Sequence, residues 1–262
     1  MTASEDELLA VAHEAAVAAA DELMSRFGGR VRGLRTKSSA TDPVSEADLA
    51  AEAKIRGVLG KRRPGDAILG EEGGESGEGE LRWIVDPLDG TVNFLFGIPQ
   101  FSVSVACQDS DGMVVGVVLD PVREETFAAT RSGSPTLNYQ TISGSLREEL
   151  ATALVSTGFA YDAAVRAKQA VVVSRLLPRV RDIRRAGSAA LDLAWLACGR
   201  YDAYYERGVN LWDYAAGGLI ASRAGLVVRE LAAAADGPAG LAAAAPALMD
   251  ELLDLILDGG QP

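Results

Sequence analysis

Hydrophobic residues in the N-terminal part of the chain recur at helical spacing in two separate runs. The first run follows Ser4 and Glu7, a pair typical of a capping box, and predicts a helix that ends near Gly28. The second run follows Ser45 and Asp48 and predicts another helix. Its predicted buried face comprises Leu49, Ala53, Val58 and Leu59.

Short apolar runs after these helices predict strands. The segments AILG at 67–70 and RWIVD at 82–86 are predicted to be buried strands, and the second of them is expected to end at Asp86. Between residues 101 and 130, alternating apolar and polar residues separated by turn sequences predict an antiparallel meander.

The second half of the chain alternates strand-like runs with helical ones. Helices are predicted near 163–177, 188–198 and 213–224, and the alanine-rich stretch 232–245 is predicted to form loop and edge strand. This alternation is typical of an α/β arrangement. We therefore expect an α/β protein with an α+β subdomain over 1–140 and an α/β subdomain over 141–262.

Composition narrows the compartment and the partners. The 262 residues carry a formal net charge of −12, which disfavours nucleic acid and anionic membranes as partners. No apolar run approaches the ~20 residues of a membrane span, and the N-terminus lacks the pattern of a signal peptide. Cys107 and Cys198 lie far apart in apolar surroundings, so free thiols and a cytoplasmic location are expected.

The single histidine and the one cluster of basic residues are interpreted as structural. The single histidine, His13, lies inside the first predicted helix and is not expected to bind a ligand. The one basic cluster is interpreted as a solvated face around a short strand and comprises Arg175, Arg179, Arg181, Arg184 and Arg185.

Carboxylates stand at the ends of several predicted elements. Asp48 begins a helix, Glu71 follows a strand, Asp86 ends a strand and Asp213 begins a helix. Acids that converge at the edge of a sheet repel each other unless cations lie between them. Oxygen ligands without histidine or cysteine favour Mg²⁺ or Mn²⁺ over zinc.

The segment VDPLDGT, residues 85–91, combines metal ligands with anion donors. Pro87 bends the chain so that Asp86 and Asp89 can approach one pair of metal ions, and the carbonyl of Leu88 offers another oxygen. The last two residues open a predicted helix whose free N–H groups could bind phosphate. On this segment alone, a capped turn between strand and helix is an equally good interpretation.

Four motifs occur in the order of a known family. WIVDPLDGTVNF at 83–94 resembles the first signature of the inositol monophosphatase family, and WDYAAG at 212–217 resembles its C-terminal signature. GEEGG at 70–74 and TDPVSEAD at 41–48 are similar to its upstream motifs. The resemblance spans about residues 36–225. It implies the layered αβαβα sandwich of the sugar phosphatases, with metal ions at the junction of the two halves.

The resemblance implies metal ligands at matching positions. The ligands of a first Mg²⁺ would be Glu71, Asp86, the Leu88 carbonyl and Thr91. Those of a second would be Asp86, Asp89 and Asp213. A third, weaker Mg²⁺ is expected near Glu71, largely through water. The implied cofactors are thus two to three Mg²⁺ ions per site, with Mn²⁺ as a substitute and Li⁺ as an inhibitor.

The resemblance also implies roles for catalytic and substrate-binding residues. Asp48 and Thr91 would orient the attacking water, with Glu71 as a further catalytic residue, and Gly90 and Thr91 would donate N–H groups to phosphate. Lys37 occupies a basic family position near the metals, or else forms a structural ion pair. The residues implied to hold polyol hydroxyls are Asp89, Gly187, Ser188, Ala189, Glu206 and Asp213. Helix capping by Ser188 and an ion pair of Glu206 remain alternatives.

The implied activity is metal-assisted, in-line hydrolysis of a small phosphomonoester without a phosphoenzyme. Inositol-1-phosphate is the first choice, because GSAALD and YDAYYE resemble the inositol-type block. Fructose-1,6-bisphosphate and histidinol phosphate are alternatives, since relatives with the same metal motifs use them. A non-catalytic interaction protein on the same fold is a further alternative, disfavoured because every implied metal ligand is retained. The family is often dimeric, so a homodimer is expected.

Overall fold

The structure is a computed structural model that describes residues 3–28, 46–234 and 237–257, with the backbone of two short strands at 35–36 and 43–44. Its helices are α1 (Glu5–Met24), α2 (Glu46–Arg62), α3 (Thr91–Leu95), α4 (Ala163–Leu176), α5 (Ala189–Ala197), α6 (Leu211–Arg223) and α7 (Met249–Ile256). Its strands are β1 (Arg35–Thr36), β2 (Pro43–Val44), β3 (Ala67–Gly70), β4 (Gly74–Ser76), β5 (Arg82–Asp89), β6 (Ser102–Asp109), β7 (Gly112–Asp120), β8 (Glu125–Thr130), β9 (Thr136–Leu137), β10 (Gln140–Thr141), β11 (Leu154–Thr157), β12 (Asp182–Arg184), β13 (Ala203–Arg207), β14 (Val227–Leu231) and β15 (Gly240–Ala244).

These elements stack in five layers and confirm the αβαβα sandwich. Helices α1 and α2 cover one face of a larger sheet with the strand order β10-β9-β8-β7-β6-β5-β3-β4. Helices α5 and α6 lie between this sheet and a smaller one with the order β12-β11-β13-β15-β14. Helices α4 and α7 cover the outer face of the smaller sheet. Helices therefore cover both faces of each sheet.

The larger sheet separates two hydrophobic cores. On one side, the alanine-rich face of α1 packs against side chains of β6 such as Val103 and Val105. On the other side, Ala106 of the same strand joins a core with α5, α6 and the smaller sheet. The alternation of side chains along a strand explains how one strand serves both cores. The second core contains residues from both halves of the sequence, so the two halves are packed around common apolar contacts.

Helix α1 begins as its sequence predicts. The Ser4 hydroxyl accepts the Glu7 N–H at 3.2 Å and the Glu7 carboxylate accepts the Ser4 N–H at 3.0 Å, which confirms the capping box. The helix ends at Met24, earlier than expected, where the Ser25 hydroxyl donates to the Glu22 carbonyl at 2.7 Å. This bond satisfies one of the carbonyls that a helix end leaves free.

Helix α2 buries only part of the face that the sequence predicted. Leu49 is 45% exposed and Ala53 is also exposed, whereas Asp48, Glu52 and Ile55 are buried. The prediction is confirmed for Leu59 and was wrong for Leu49 and Ala53, because it assigned apolar residues to the interior and acids to the surface. Two acids of this helix instead point inward, where they bond with neighbouring segments.

Two strand predictions also need correction. Strand β5 continues past Asp86 to Asp89 through an irregularity in its pairing. The alanine-rich stretch contributes β15, which pairs with β13 on one side and β14 on the other and is therefore not an edge strand. All residues of β15 are buried, because their small side chains allow close packing on both faces. The predicted meander and the alternation of strands and helices in the second half are confirmed.

The remaining sequence predictions concern a helix cap, Lys37, the two cysteines and membrane-spanning helices. The helix cap at Ser45 and the position of Lys37 lie outside the described residues. Cys107 and Cys198 are free thiols. Within the described ranges, no helix combines the length and the apolar character that crossing a bilayer requires.

Candidate active site

The centre of the candidate site is the C-terminal end of β5. Its pairing with β6 shifts between Asp86, which lies opposite Ser104, and Asp89, which lies opposite Ser102. An extra residue is thus accommodated in β5 as a bulge. Because side chains alternate faces along a regular strand, the bulge turns Asp86 and Asp89 to the same side of the sheet. The sequence placed both acids here, but only the bulge makes them neighbours.

Gly90 connects the bulge to α3. Its φ of 104° lies in the left-handed region, which favours glycine. A Cβ at this position would also lie 3.0 Å from the carbonyl oxygen of Gln100 and 3.1 Å from the Cβ of Phe101. Conformation and space therefore both require glycine where the chain turns from strand to helix.

Asp48 and Thr91 form a buried hydrogen-bonded pair. The Thr91 hydroxyl lies 2.9 Å from Oδ1 of Asp48 and 3.2 Å from the carbonyl oxygen of Leu88. Asp48 is 1% exposed, although it lies in the first turn of α2. The two residues that the family resemblance pairs are thus in direct contact, contributed by two different helices.

Glu71 lies in a turn that is braced from α2. The carboxylate of Glu52 accepts the backbone N–H groups of Glu72 at 2.8 Å and Gly73 at 2.9 Å. The same carboxylate accepts the Nε–H of Arg56 at 2.6 Å. The Glu52 carboxylate is therefore the acceptor for two backbone N–H groups and for the guanidinium of Arg56. These hydrogen bonds fix the turn that carries Glu71.

The glycines around Glu71 make room for this brace. A Cβ at Gly70 would lie 2.5 Å from the Glu52 carboxylate, and one at Gly73 would lie 2.6 Å from it. The role of Glu52 was not predicted from the sequence. Its signals were two glycines flanking an acidic pair and an acid one helical turn after Asp48.

Asp89 joins β5 to the start of α5. Its Oδ2 accepts the hydroxyl of Ser188 at 2.6 Å and the N–H of Ala190 at 2.7 Å. Its Oδ1 accepts the N–H of Ala189 at 3.2 Å. Burial raises the pKa of Asp89 to about 6, although these hydrogen bonds oppose the rise. This carboxylate therefore links the two halves of the sequence.

Ser188 acts behind the cavity wall. Its hydroxyl accepts the N–H of Leu191 at 3.4 Å, a long helix-capping bond, and lies 3.1 Å from the hydroxyl of Ser102. Gly187 and Ala189 line the cavity, whereas Ser188 is not among its lining residues. The structure thus favours support of Asp89 and capping of α5 as the tasks of this hydroxyl.

Asp86 and Asp213 complete a group of neighbouring acids. Burial, followed by the charges of Glu71 and Asp89, raises the pKa of Asp86 well above its usual value. Burial, followed by the charges of the same two acids, also raises the pKa of Asp213. Asp213 lies in the first turn of α6, where its Oδ2 accepts the N–H of Asn210 at 2.6 Å. These carboxylates repel one another in the absence of a cation.

This group fits a divalent cation by its chemistry. Among the residues that the structure describes, no three histidine, cysteine or acidic side chains are already arranged to hold a metal ion. The donors that face the cavity are nevertheless carboxylate oxygens, which Mg²⁺ prefers. A bound cation would also relieve the repulsion that raises the pKa values of Asp86 and Asp213.

One cavity of about 430 Å³ joins these acids to a second group of residues. We call the part lined by Glu71, Asp86, Asp89 and Asp213 the acidic end, and the part lined by Phe159, Tyr161, Arg185 and Glu206 the open end. Burial raises the pKa of Glu206 to about 7, and the charge of Arg185 opposes this rise. The Tyr204 hydroxyl lies 3.2 Å from Glu206, and a Cβ on Gly158 would overlap the Glu206 carboxylate.

Several residues of this cavity and its surroundings were not predicted from the sequence. Arg185 lines the open end, although it was interpreted as part of a solvated surface. Trp212 also lines the cavity, whereas Trp83 is fully buried. Asn93 donates to the carbonyl of Ala186 at 2.9 Å and so ties α3 to the segment before α5. No local sequence pattern predicts this hydrogen bond, because its two partners lie far apart in the sequence.

Comparison with known proteins agrees with this geometry. A family model described as the inositol monophosphatase family matches residues 4–257. This chain belongs to the inositol monophosphatase family. The resemblance on which the sequence interpretation rested is thereby confirmed, and the family supports phosphatase activity.

Relatives within the inositol monophosphatase family are similar along most of their length. The inositol-1-monophosphatase SuhB of Mycobacterium tuberculosis is 45% identical over 242 residues, which cover 88% of this chain and 83% of that protein. The Nus factor SuhB of Pseudomonas aeruginosa is 44% identical over 205 residues, covering 74% of each chain. The solved structure of Mycobacterium tuberculosis SuhB gives a TM-score of 0.83 at 39% identity and covers 97% of both chains. The extragenic suppressor protein suhB of Bartonella henselae gives 0.88 at 33% identity, covering 97% of this chain and 99% of that one.

Proposed function

We propose that this chain is a Mg²⁺-dependent phosphatase that hydrolyses a small phosphomonoester, with inositol-1-phosphate as the first candidate substrate. The observation that carries the proposal is the convergence of four carboxylates on one cavity, beside the bonded pair Asp48 and Thr91. The carboxylates come from the turn after β3, the bulge of β5 and the first turn of α6. Such an arrangement suits an anionic substrate only when cations are bound.

The residues proposed to hold the Mg²⁺ ions are Glu71, Asp86, Leu88 through its carbonyl, Asp89, Thr91 and Asp213. When bound, Mg²⁺ supplies Lewis acidity, which lowers the pKa of a water molecule and offsets charge on the phosphoryl group. The cavity also contains Gly90, beside the start of α3, where the phosphate is proposed to bind.

The attacking water is proposed to be oriented by Thr91 and Asp48. The Thr91 hydroxyl has one hydrogen to donate, and Asp48, at 2.9 Å the nearer of its two acceptors, is proposed to receive it. The lone pairs of the hydroxyl therefore remain available to accept a hydrogen bond from water. Asp48 is the proposed acceptor of the proton that the water loses, relayed through Thr91. Glu71 faces the same cavity and is the proposed third catalytic residue.

The leaving group is proposed to occupy the open end. Glu206, Gly187 and Ala189 line the same cavity and are proposed to hold polyol hydroxyls together with Asp89 and Asp213. The name of the Mycobacterium tuberculosis relative supports inositol-1-phosphate as the first candidate. Fructose-1,6-bisphosphate and histidinol phosphate remain the alternative substrates.

A panel of phosphate esters tests this proposal. Phosphate release is measured from inositol-1-phosphate, fructose-1,6-bisphosphate and histidinol phosphate, with and without Mg²⁺ and with added Li⁺. We expect release that requires Mg²⁺, is inhibited by Li⁺ and is fastest for inositol-1-phosphate. Preference for another ester would move the substrate assignment, and release that persists after removal of divalent ions would refute the metal dependence.

A second candidate function is the binding of a macromolecular partner without catalysis. It is favoured by the name Nus factor, which is carried by relatives such as the Pseudomonas aeruginosa protein. The variant Asp86→Asn separates the two functions, because it should abolish hydrolysis while leaving a surface interaction intact.

We also propose a cytoplasmic homodimer, for which light scattering of the purified protein should give twice the chain mass of 27.4 kDa.

A further inference from the structure

Arg185 differs from the other charged residues of the cavity. Of the described residues that line it, six carry carboxylates and only Arg185 is basic. The carboxylates belong to Glu71, Asp86, Asp89, Asp162, Glu206 and Asp213. A single cation among so many acids is a candidate for discrimination between ligands, because its removal leaves the described lining of the cavity with no positive side chain.

The guanidinium of Arg185 lies along the wall of the open end. It lies 6.0 Å from the centre of the Phe159 ring, at the outer limit of a cation–π contact. A Cβ on Gly187 would lie 2.5 Å from Nη1 of Arg185, so the glycine leaves the space that the guanidinium fills. Within the described part of the chain, Arg185 donates no hydrogen bond, and its N–H groups are available to a ligand.

The charge of Arg185 acts on two acids at this end. It opposes the rise in pKa that burial causes in Glu206 and in Asp192. Asp192 is fully enclosed behind the wall, and its Oδ1 has no hydrogen-bond partner among the described residues. Arginine stays protonated, whereas burial weakens the charge of Glu206 and Asp192. Asp162 also lines the cavity, and backbone hydrogen bonds lower its pKa, so Arg185 supplies the positive charge of a wall that also carries a negative one.

We propose that Arg185 is a specificity-determining residue, which selects against leaving groups that carry a positive charge and favours neutral or anionic ones. The inference rests on the proposed phosphatase function, since it needs the phosphoryl group at the acidic end and the leaving group at the open end. The three candidate esters share the phosphoryl group. They differ in the leaving group, which is cationic in histidinol phosphate, neutral in inositol-1-phosphate and anionic in fructose-1,6-bisphosphate.

The expected effect is moderate, because Arg185 is exposed to solvent. A unit charge a few ångströms from an exposed guanidinium changes an affinity by roughly three- to fivefold. Loss of the charge should therefore raise kcat/KM for histidinol phosphate and lower it for fructose-1,6-bisphosphate. The ratio of the two values should change by about tenfold, and less at ~0.5 M salt, where exposed charges are screened.

The test compares Arg185→Gln with the matched control Arg185→Lys, which retains the charge. For each protein, kcat/KM is measured for the three esters at low and high salt, and an ester that is not hydrolysed is measured as an inhibitor. We expect the histidinol phosphate to fructose-1,6-bisphosphate ratio to rise about tenfold in Arg185→Gln and to change little in Arg185→Lys. Thermal unfolding of both variants verifies that they fold.

Two outcomes would overturn the proposal: an unchanged ratio in Arg185→Gln, or the same change in Arg185→Lys. Failure of the proposed phosphatase function would look different. The wild-type protein would then release phosphate from none of the esters. Their dissociation constants, measured by calorimetry with Mg²⁺ present, would in that case provide the same ratio, and the same two outcomes would overturn the role of Arg185.

Discussion

The two ends of the cavity are built in different ways. At the acidic end, Asp86 is 1% exposed, and Asp89 is fixed by three hydrogen bonds from the start of α5. At the open end, Tyr161 is 41% exposed and Arg185 is also exposed. The structure gives Glu206 a hydrogen bond with the Tyr204 hydroxyl. One end is thus braced from several elements, and the other is lined by more exposed side chains.

This difference matches the two tasks proposed for the cavity. Charges that bind metal ions and stabilise a transition state must be held in place before the reaction, which requires braced and buried groups. Groups that recognise a leaving group can be changed without loss of the fold. Substitutions at the acidic end should therefore alter rate and metal affinity, whereas substitutions at the open end should alter substrate preference.

The largest effect is expected for Asp86→Asn. The change removes one charge from the centre of the acids, and kcat should fall by about a hundredfold or more because the proposed metal ions lose a shared ligand. The control is Asp109→Asn, which removes an acid of similar strand position that pairs with Arg131 at 2.6 Å outside the cavity. Near-normal turnover of Asp86→Asn at saturating Mg²⁺ would contradict the proposed role of this residue.

The next effect is expected for Glu52→Gln. Gln keeps the length of the side chain but weakens the acceptor that braces the Glu71 turn, so Mg²⁺ affinity should fall by ~10-fold. The rate at saturating Mg²⁺ should largely recover, because Glu52 does not line the cavity. The measurements are calorimetric Mg²⁺ titration and the dependence of rate on Mg²⁺ concentration.

The matched control for this brace is Glu22→Gln, which removes a carboxylate that pairs with Arg26 on the surface of α1. It should leave Mg²⁺ affinity unchanged. If Glu52→Gln also bound Mg²⁺ like the wild-type protein, the carboxylate would serve the stability of the turn alone. If the rate did not recover at saturating Mg²⁺, Glu52 would be needed for catalysis itself.

The sequence predicted the acids of the site but not what holds them. Asp86, Asp89 and Asp213 were predicted because they stand at or near the ends of elements, within contiguous motifs that resemble those of the family. The brace from Glu52 to Gly73 and the placement of Arg185 beside Phe159 connect segments that only the tertiary fold brings together. Hydrophobic patterns assign charged residues to the surface. They therefore do not predict which charged residues are buried or face a ligand.

A smaller effect is expected in the stability of the metal-free protein. The pKa values of Asp86 and Asp213 are raised well above their usual range, and that of Asp89 is raised to about 6. Each raised pKa contributes stability that is complete below the unfolded value of about 3.9 and is lost as pH rises through the folded value. Stability should therefore fall from about pH 4 towards neutral pH.

Asp86→Asn isolates this contribution from that of other groups. Without divalent ions at pH 7, we expect its Tm to exceed that of the wild-type protein by ~5 °C, because the variant removes a repelled charge. The difference should shrink at pH 4 and when Mg²⁺ is added. A wild-type Tm at pH 7 equal to or above that of the variant, with divalent ions removed, would mean that the acids do not destabilise one another.

The smallest effect is expected at the open end, for Glu206→Gln. If Glu206 accepts hydrogen bonds from substrate hydroxyls, its loss of charge should raise KM for inositol-1-phosphate by about threefold and leave kcat nearly unchanged. Because burial raises the pKa of Glu206 to about 7, the carboxylate is largely ionised only above that pH. The ratio of the two KM values should therefore be larger at pH 8 than at pH 6.

The control is Glu230→Gln, which removes an exposed acid from β14 of the same sheet and should leave KM unchanged at both pH values. A KM ratio for Glu206→Gln that did not vary with pH would place the effect in packing rather than in charge. A large fall in kcat would contradict the proposed division of the cavity, in which the acidic end determines the rate and the open end determines substrate preference. It would mean that Glu206 takes part in catalysis together with the residues of the acidic end. The open end would then do more than select the leaving group.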